Sequence, residues 1–236
     1  MCGRYILRMQ DKYLREWQLH GPPAWVTASY NIAPTQQVPI MRMQNGAPAA
    51  AMVRWGLIPA FARGQPGKFS TINARIETFQ STAAFRGAWK RAQRCIQPAS
   101  GFYEWHLDAH GRKTPYLITL ADQELFGFAG LWDASVRDDG TVIESCAHIT
   151  MAANELMADI HNAGNHPQRM PAILRREDHE AWLEGTDAEA RAVLRPYPAE
   201  VMVAHPVSTR VNSVRNNGPE LIAPLGHGEV AARACA

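Results

Sequence analysis

The segment Arg94-Cys95-Ile96-Gln97, followed closely by Gly101-Phe102-Tyr103-Glu104-Trp105-His106-Leu107, begins a series of short β-strand patterns. Segments with similar composition follow at residues 115–120, 125–132 and 142–150. Turn-forming residues separate them, at 108–111, 121–122 and 138–140. Because these strands follow one another through turns instead of alternating with helices, we predict an α+β fold. It is a single domain on an antiparallel, barrel-like β-sheet with flanking short helices.

Two more strands are predicted upstream of this segment, at residues 38–43 and 50–57. The turn dipeptide Asn45-Gly46 lies between them, in a loop that we expect to be longer than a tight hairpin. Residues 30–34 are predicted to be extended, since Pro34 disfavours the helical conformation of the residue before it.

Apolar periodicity predicts short helices at residues 11–20, 81–91, 153–160, 177–184 and 187–194. The helix at 81–91 should bury Phe85 and Trp89, which lie on one face. A strand is predicted at 200–204. We expect one domain over residues 1–224 and a disordered C-terminal tail over 225–236.

The composition limits the classes of function. With 236 residues and 46% hydrophobic content the chain can bury a core, and a formal charge of +2 requires that any nucleic-acid site be a local groove. The four cysteines lack CxxC spacing, so neither a zinc nor a redox motif is predicted, and Cys95 and Cys146 are expected to be buried thiols. Without a signal peptide or membrane-spanning pattern, we expect a cytoplasmic monomer with no membrane partner and no cofactor.

Cys2 directly follows the initiator methionine. If Met1 is removed, Cys2 carries a thiol that is a few per cent ionised at pH 7 and an α-amine with a pKa of roughly 7.7–8.0. The thiol can attack an acyl carbon with the amine as its base. Alternatively, the amine can condense with an aldehyde and the thiol can close a five-membered thiazolidine ring. A third possibility is that Cys2 is an ordinary residue of a frayed terminus.

Four other polar residues are candidates for chemistry: Asn73, Glu104, His161 and Arg169. Each alone also has a structural interpretation, such as a turn residue or a helix cap. Alternation along its strand places Glu104 on the face opposite Trp105. If that face lines a pocket, its aromatic surroundings raise the pKa of the carboxyl group and favour acid–base chemistry. If the face is exposed, Glu104 is an ordinary surface residue.

Aromatic rings and cations alternate over residues 55–75, in the set Trp55, Phe61, Arg63, Lys68, Phe69 and Arg75. This composition is typical of single-stranded nucleic-acid binding, in which bases stack on exposed rings. It is equally typical of a loop whose rings pack on the sheet. His161 and His166 are a weak signal for a metal, and we predict no metal site.

Together these segments resemble the SRAP domain family, the SOS-response-associated peptidases or abasic-site processing proteins. The matching stretches occur in the family's order and are residues 1–5, 30–35, 54–59, 72–78, 94–99, 101–105, 128–132, 160–161, 169–171, 205–208 and 217–222. The resemblance implies covalent capture of abasic sites in single-stranded DNA, through a thiazolidine on the N-terminal cysteine. It also implies lyase-type or peptidase-type chemistry.

By this resemblance, the positions that match the family's catalytic residues are Cys2, Asn73, Glu104 and His161. Glu104 would relay protons for the amine and the leaving water, and His161, with a pKa near 6.5, would open the sugar ring. Asn73 would hold the Cys2 terminus by hydrogen bonds. DNA contacts are expected from Arg4, Arg75, Trp55, Phe61 and Arg169.

The sequence departs from the family pattern at residues 162–168, which intervene between Ile160-His161 and Arg169-Met170-Pro171. His166 in this insertion is a second candidate for the family's histidine, and the position of His161 directly after the apolar helix favours His161.

Three other functions remain open. Met-Cys-Gly also begins the glutamine amidotransferases with an N-terminal cysteine nucleophile, which release ammonia from glutamine. A cysteine peptidase that processes itself or other proteins uses the same residue. A module that binds single strands without a covalent bond uses only the rings and cations.

Overall fold

In the computed structural model, the described residues are 2–8 and 28–226. The predicted helix at 11–20 and nearly all of the predicted C-terminal tail lie outside them. The strands are β1 (Tyr5–Leu7), β2 (Ser29–Ile32), β3 (Gln37–Gln44), β4 (Ala47–Trp55), β5 (Asn73–Arg75), β6 (Arg94–Ala99), β7 (Gly101–Leu107), β8 (Lys113–Leu120), β9 (Phe126–Val136), β10 (Val142–Ala152), β11 (Arg169–Pro171), β12 (Ile173–Leu174) and β13 (Met202–Pro206). The α-helices are α1 (Ala83–Lys90), α2 (Glu155–Ile160), α3 (His179–Leu183) and α4 (Asp187–Ala192).

A closed barrel forms the centre of the molecule. Its strands pair in the order β10-β4-β3-β6-β9, and β9 returns to pair with β10. All of these pairs are antiparallel except β4 with β10, which are parallel. Closure leaves these strands without free edges. The predicted α+β, barrel-like fold is confirmed, and the barrel is mixed and not purely antiparallel.

A second sheet, in the order β13-β8-β7-β1-β2, packs on the barrel and carries the N-terminus. One of its faces contributes Tyr5 and Phe102, whose rings contact Phe128 of β9 at centroid distances of 6.1 and 5.9 Å. The opposite face contributes Ile6 and Tyr103 to a smaller apolar cluster. Alternation along β1 and β7 therefore fixes which side chains point toward the barrel.

The turn between β3 and β4 is tighter than predicted. Gln44 pairs directly with Ala47, which leaves only Asn45 and Gly46 in the loop. Both residues have positive φ, at 54° and 76°, as a type I′ hairpin turn requires. The expectation of a longer loop was wrong because the strands extend fully to the turn dipeptide.

The helices lie where the sequence predicts them. Phe85 and Trp89 of α1 are buried, and Trp89 contacts Phe79 edge to face at 4.9 Å. Helix α2 begins after Asn154, whose side chain accepts a hydrogen bond from the Met157 N–H, and it ends at His161. None of the helices in residues 2–8 and 28–226 is long and apolar enough to span a membrane.

Candidate functional site

Cys2 lies in the interior of the molecule, three residues before the start of β1. The Tyr103 N–H donates to the Arg4 carbonyl at 2.9 Å, and Tyr5 pairs with Phe102. Continued toward the N-terminus, this antiparallel register places Gly3 opposite Glu104. The side chain of Cys2 is buried, with 1% of its surface exposed. The sheet therefore brings the second residue of the chain next to the glutamate of β7.

Two side chains from neighbouring strands hold the Cys2 carbonyl oxygen. Asn73 Nδ2 donates to it at 3.0 Å, in line with the expectation that Asn73 holds the Cys2 terminus by hydrogen bonds. His148 Nε2 lies 3.4 Å from the same oxygen. Asn73 on β5 and His148 on β10 are paired residues of two parallel strands, so both side chains point to one side of the sheet. His148 was not among the residues predicted from the sequence.

The thiol of Cys2 is protonated at neutral pH. Burial raises its pKa well above the usual value, and the negative charge of Glu104 adds to the effect. The expectation that a few per cent of this thiol is ionised at pH 7 was therefore wrong. Any reaction at this sulfur requires a nearby group that accepts its proton as the new bond forms.

Glu104 is such a group. It is buried, with 2% of its surface exposed, and burial raises the pKa of its carboxyl group to about 7. The positive charge of the chain's N-terminus and a hydrogen bond from the Trp105 backbone oppose that shift. Of the two alternatives that the sequence left open for this face of β7, the structure shows the enclosed one. A carboxyl group that titrates near pH 7 both accepts and donates protons under physiological conditions.

His161 caps the C-terminal end of α2 and faces Glu104. The Arg169 N–H donates to its Nδ1 at 3.1 Å, so the neutral ring carries its proton on Nε2, which lies 4.0 Å from Glu104 Oε2. Burial lowers the pKa of His161 to about 4, with a smaller contribution from the N-terminal charge. The expected pKa near 6.5 was wrong, because burial disfavours the imidazolium ion. At neutral pH His161 is therefore a neutral ring with its N–H on Nε2.

The insertion at 162–168 leaves His161 in place. Its first residue, Asn162, accepts from the Leu107 N–H and donates to the Leu107 carbonyl, which fastens the insertion to the end of β7. His166 is exposed to solvent, whereas His161 is buried beside Glu104. The geometry agrees with the choice of His161 over His166.

The three predicted arginines differ in what they contact. Arg4 donates to Asn31 Oδ1 at 2.8 Å and to the Val211 carbonyl at 2.7 Å. Arg169 forms a two-pronged ion pair with Glu77 at 2.6 and 3.0 Å, and it also donates to the Thr150 carbonyl. Arg75 is exposed on β5, two residues beyond Asn73. Arg75 is thus the arginine of this set whose position best fits a phosphate contact.

The aromatic residues also separate into buried and exposed. Trp55 is fully buried, its Nε1 donates to the Ile72 carbonyl, and its ring contacts Tyr5 at 5.4 Å. The prediction that Trp55 contacts DNA is corrected, because a ring in the core has no face available for a base. Phe61 and Phe69 are 70% and 87% exposed.

The loop that carries Phe61 is fixed to the barrel by buried polar side chains. Asp133 of β9 accepts from the Ala60 N–H at 3.0 Å, and Ser135 accepts from the Gly64 N–H at 2.8 Å. Phe61 is therefore presented by a single 3₁₀ turn, Ala60–Ala62, with both of its ends tied down.

Comparison with protein families gives a match over most of the chain. The family described as "SOS response associated peptidase (SRAP)" matches residues 1–214. The chain belongs to the SRAP family. That match includes Cys2, Asn73, Glu104 and His161, which are far apart in the sequence and converge in the fold.

Relatives of this SRAP protein occur in bacteria and vertebrates. It is 37% identical to "Abasic site processing protein YoqW" of Bacillus subtilis, with 94% of this chain and 99% of the relative covered. It is 33% identical to "Abasic site processing protein HMCES" of Gallus gallus, with 94% and 71% covered. A crystal structure of a protein from Bordetella bronchiseptica superposes with a TM-score of 0.77 at 32% identity, and covers 88% of this chain and all of that one.

Proposed function

We propose that this SRAP protein captures abasic sites in single-stranded DNA by forming a thiazolidine between the sugar aldehyde and Cys2, after removal of Met1. The single observation that carries this proposal is the contact geometry of Cys2. The residue is held by its carbonyl and buried beside a carboxyl group with a pKa of about 7. Its relatives named as abasic site processing proteins support the choice of substrate.

The chemistry balances with the groups present. The α-amine of Cys2 adds to the aldehyde carbon, and the resulting carbinolamine loses water to give an imine. The sulfur then adds to the imine carbon while its proton moves to the nitrogen, which closes the five-membered ring. One aldehyde and one aminothiol thus give one thiazolidine and one water. Glu104 relays protons in both halves: from amine to departing water, and from thiol to ring nitrogen.

His161 assists the opening of the sugar. An abasic sugar is mostly a closed hemiacetal, so the bond to the ring oxygen must break before an aldehyde is available. The neutral His161 donates a hydrogen bond from Nε2 to this oxygen, and Glu104, beside it, is the source of the proton. The sequence-based prediction made His161 the proton donor for ring opening. Here Glu104 takes that role, because burial lowers the pKa of His161 to about 4 and leaves its ring neutral.

In this proposal the DNA strand crosses the exposed surface that presents Arg75, Phe61 and Phe69. Stacking of a base on an aromatic ring is worth roughly 1–3 kcal/mol, and the exposed rings of Phe61 and Phe69 have free faces for it. Arg75 supplies a charge for a phosphate. Paired bases have no faces to offer to these rings, so we propose a preference for single strands. All catalytic groups come from one chain, and a monomer suffices.

A denaturing gel tests the proposal. Purified protein is incubated with a labelled oligonucleotide that contains one abasic site, or with one that contains a tetrahydrofuran in its place, which has the same shape without an aldehyde. We expect a slow-migrating adduct with the abasic strand only. Cys2→Ala should abolish it, and Cys235→Ala, the matched control on another cysteine, should not.

Other results on the same gel separate the alternatives. An adduct with tetrahydrofuran DNA would exclude aldehyde chemistry. Binding in native gels without any adduct in denaturing gels would identify a non-covalent binding protein. Ammonia release from glutamine, dependent on Cys2, would identify an amidotransferase.

A further inference from the structure

We infer that His148 is a positioning residue for the nucleophile: together with Asn73 it fixes the carbonyl of Cys2 and thereby the position of the Cα that carries the α-amine and the thiol side chain. The inference rests on the proposed function and adds a residue to it. His148 lies in the apolar interior of the barrel, where the sequence pattern gives no reason to expect chemistry.

The imidazole is held so that one nitrogen faces the Cys2 carbonyl. Its ring is packed between Trp55 and Phe128, at centroid distances of 4.9 and 5.1 Å. Nε2 lies 3.4 Å from the Cys2 oxygen, whereas Nδ1 is buried and has no hydrogen-bond partner among residues 2–8 and 28–226. A carbonyl oxygen can only accept, so the proton of the neutral ring is on Nε2. If the proton were on Nδ1, a buried N–H would be left without an acceptor, which costs more free energy than leaving a lone pair at Nδ1 without a donor.

The ring is neutral at physiological pH, since burial lowers the pKa of His148 to about 4. That neutrality matters for the reaction. A positively charged His148 next to the Cys2 terminus would stabilise the thiolate form of Cys2. It would also repel the positive charge that develops on the nitrogen in the carbinolamine and imine stages. A neutral donor fixes the carbonyl without adding this repulsion.

Two donors on one oxygen determine the orientation of the peptide plane between Cys2 and Gly3. Asn73 approaches from β5 and His148 from β10, and the pairing of these strands sets the distance between the two donors. With the carbonyl held, the Cα of Cys2 has a fixed position. Rotation about its Cα–C bond is then limited by the buried side chain, whose thiol donates to the Arg4 carbonyl at 3.8 Å, so the amine also keeps its direction. Misplacement of a reacting group by about 1 Å can cost roughly 100-fold in rate.

The test compares two substitutions of similar length. In His148→Gln the side-chain amide places an N–H donor near the position of Nε2, whereas His148→Met fills the space without a donor. The rate of adduct formation is measured in single turnovers with saturating abasic single strands, beside the affinity for the same strand with tetrahydrofuran. We expect His148→Met to lose roughly 10- to 100-fold in rate at unchanged affinity. His148→Gln should recover most of this loss.

Equal loss in both variants, or a wild-type rate in His148→Met, would overturn the inference, because a packing role alone would not depend on the donor. A second measurement is independent of whether the variants fold. Nitrogen-15 NMR of the wild-type His148 ring should show the proton on Nε2 and none on Nδ1; the opposite tautomer would also overturn it. If the wild type forms no adduct, the proposed function fails, and the tautomer still tests the hydrogen bond to Cys2.

Discussion

At the scale of single residues, the site is defined by what burial does to three side chains. The same apolar surroundings raise the pKa of the Cys2 thiol, raise that of Glu104 to about 7 and lower that of His161 to about 4. Each shift disfavours the charged form. The result at neutral pH is a neutral thiol, a neutral imidazole and a carboxyl group near its midpoint, and Glu104 is therefore the side chain of the three that we propose for acid–base chemistry.

Replacing Glu104 by Gln should slow adduct formation by about 10²–10⁴-fold, which is the usual effect of removing an acid–base group. The shape and burial of the side chain are retained, so affinity for single strands should stay close to that of the wild type. Single-turnover kinetics with labelled abasic DNA measure the rate. The same variant should release a preformed adduct more slowly, since forward and reverse reactions share their barrier. A wild-type rate would contradict the assignment.

Glu104 should also make the protein less stable as pH rises. Its folded-state pKa of about 7 lies above its ordinary value of 4.5, so the folded protein binds the proton more tightly than the unfolded chain does. The penalty is absent below the unfolded pKa, grows between pH 4.5 and 7, and is complete above the folded pKa. A shift of this size corresponds to about 3 kcal/mol.

Glu104→Gln should therefore unfold at a higher temperature than the wild type at pH 8, and the difference should vanish near pH 4. Glu77→Gln is the contrasting control. The hydrogen bonds from Arg169 lower the pKa of Glu77, so its contribution to stability is present at neutral pH and is lost on acidification. Thermal unfolding measured between pH 4 and pH 8 tests this. A Glu104→Gln variant that is less stable than the wild type at pH 8 would contradict the account.

At the scale of elements, the short strand β5, the long strand β10 and one 3₁₀ turn position side chains of the proposed site. β5 and β10 deliver Asn73 and His148 to the same oxygen, and the Ala60–Ala62 turn presents Phe61. The hydrogen bonds to Asp133 and Ser135 hold this turn, so little ordering entropy is lost when a base stacks on the ring.

Phe61→Ala should weaken binding of tetrahydrofuran-containing single strands by roughly 1–3 kcal/mol, as expected for the loss of one stacked base. Affinity for a fully paired duplex should change little. Val203→Ala, another exposed apolar residue, lies on β13 and is the matched control. Fluorescence anisotropy with both kinds of DNA measures the effect. An equal loss for single strand and duplex would show that Phe61 does not stack on bases.

At the scale of the whole molecule, the sequence predicted the elements well and the contacts between them less well. The face of β7 that carries Glu104 could be predicted, because alternation along a strand is a local property. The residues around Glu104 could not be predicted in this way, because they lie at the ends of β1 and α2, far away in the sequence. Trp55 was misplaced because a ring near cations in the sequence carries no information about exposure. His148 was missed for a related reason: a single histidine in an apolar strand resembles a core residue until its pairing with Asn73 is known.

The central claim is that Cys2 becomes the first residue and bonds to DNA through both its amine and its sulfur. Intact mass spectrometry of the purified adduct tests this most directly, with a variant carrying one alanine inserted between Met1 and Cys2 as the control. The account predicts the mass of the protein without Met1 plus the oligonucleotide minus one water, located on Cys2, and no stable adduct from a variant that keeps its inserted residue. An adduct on a lysine, or one that retains Met1, would contradict it.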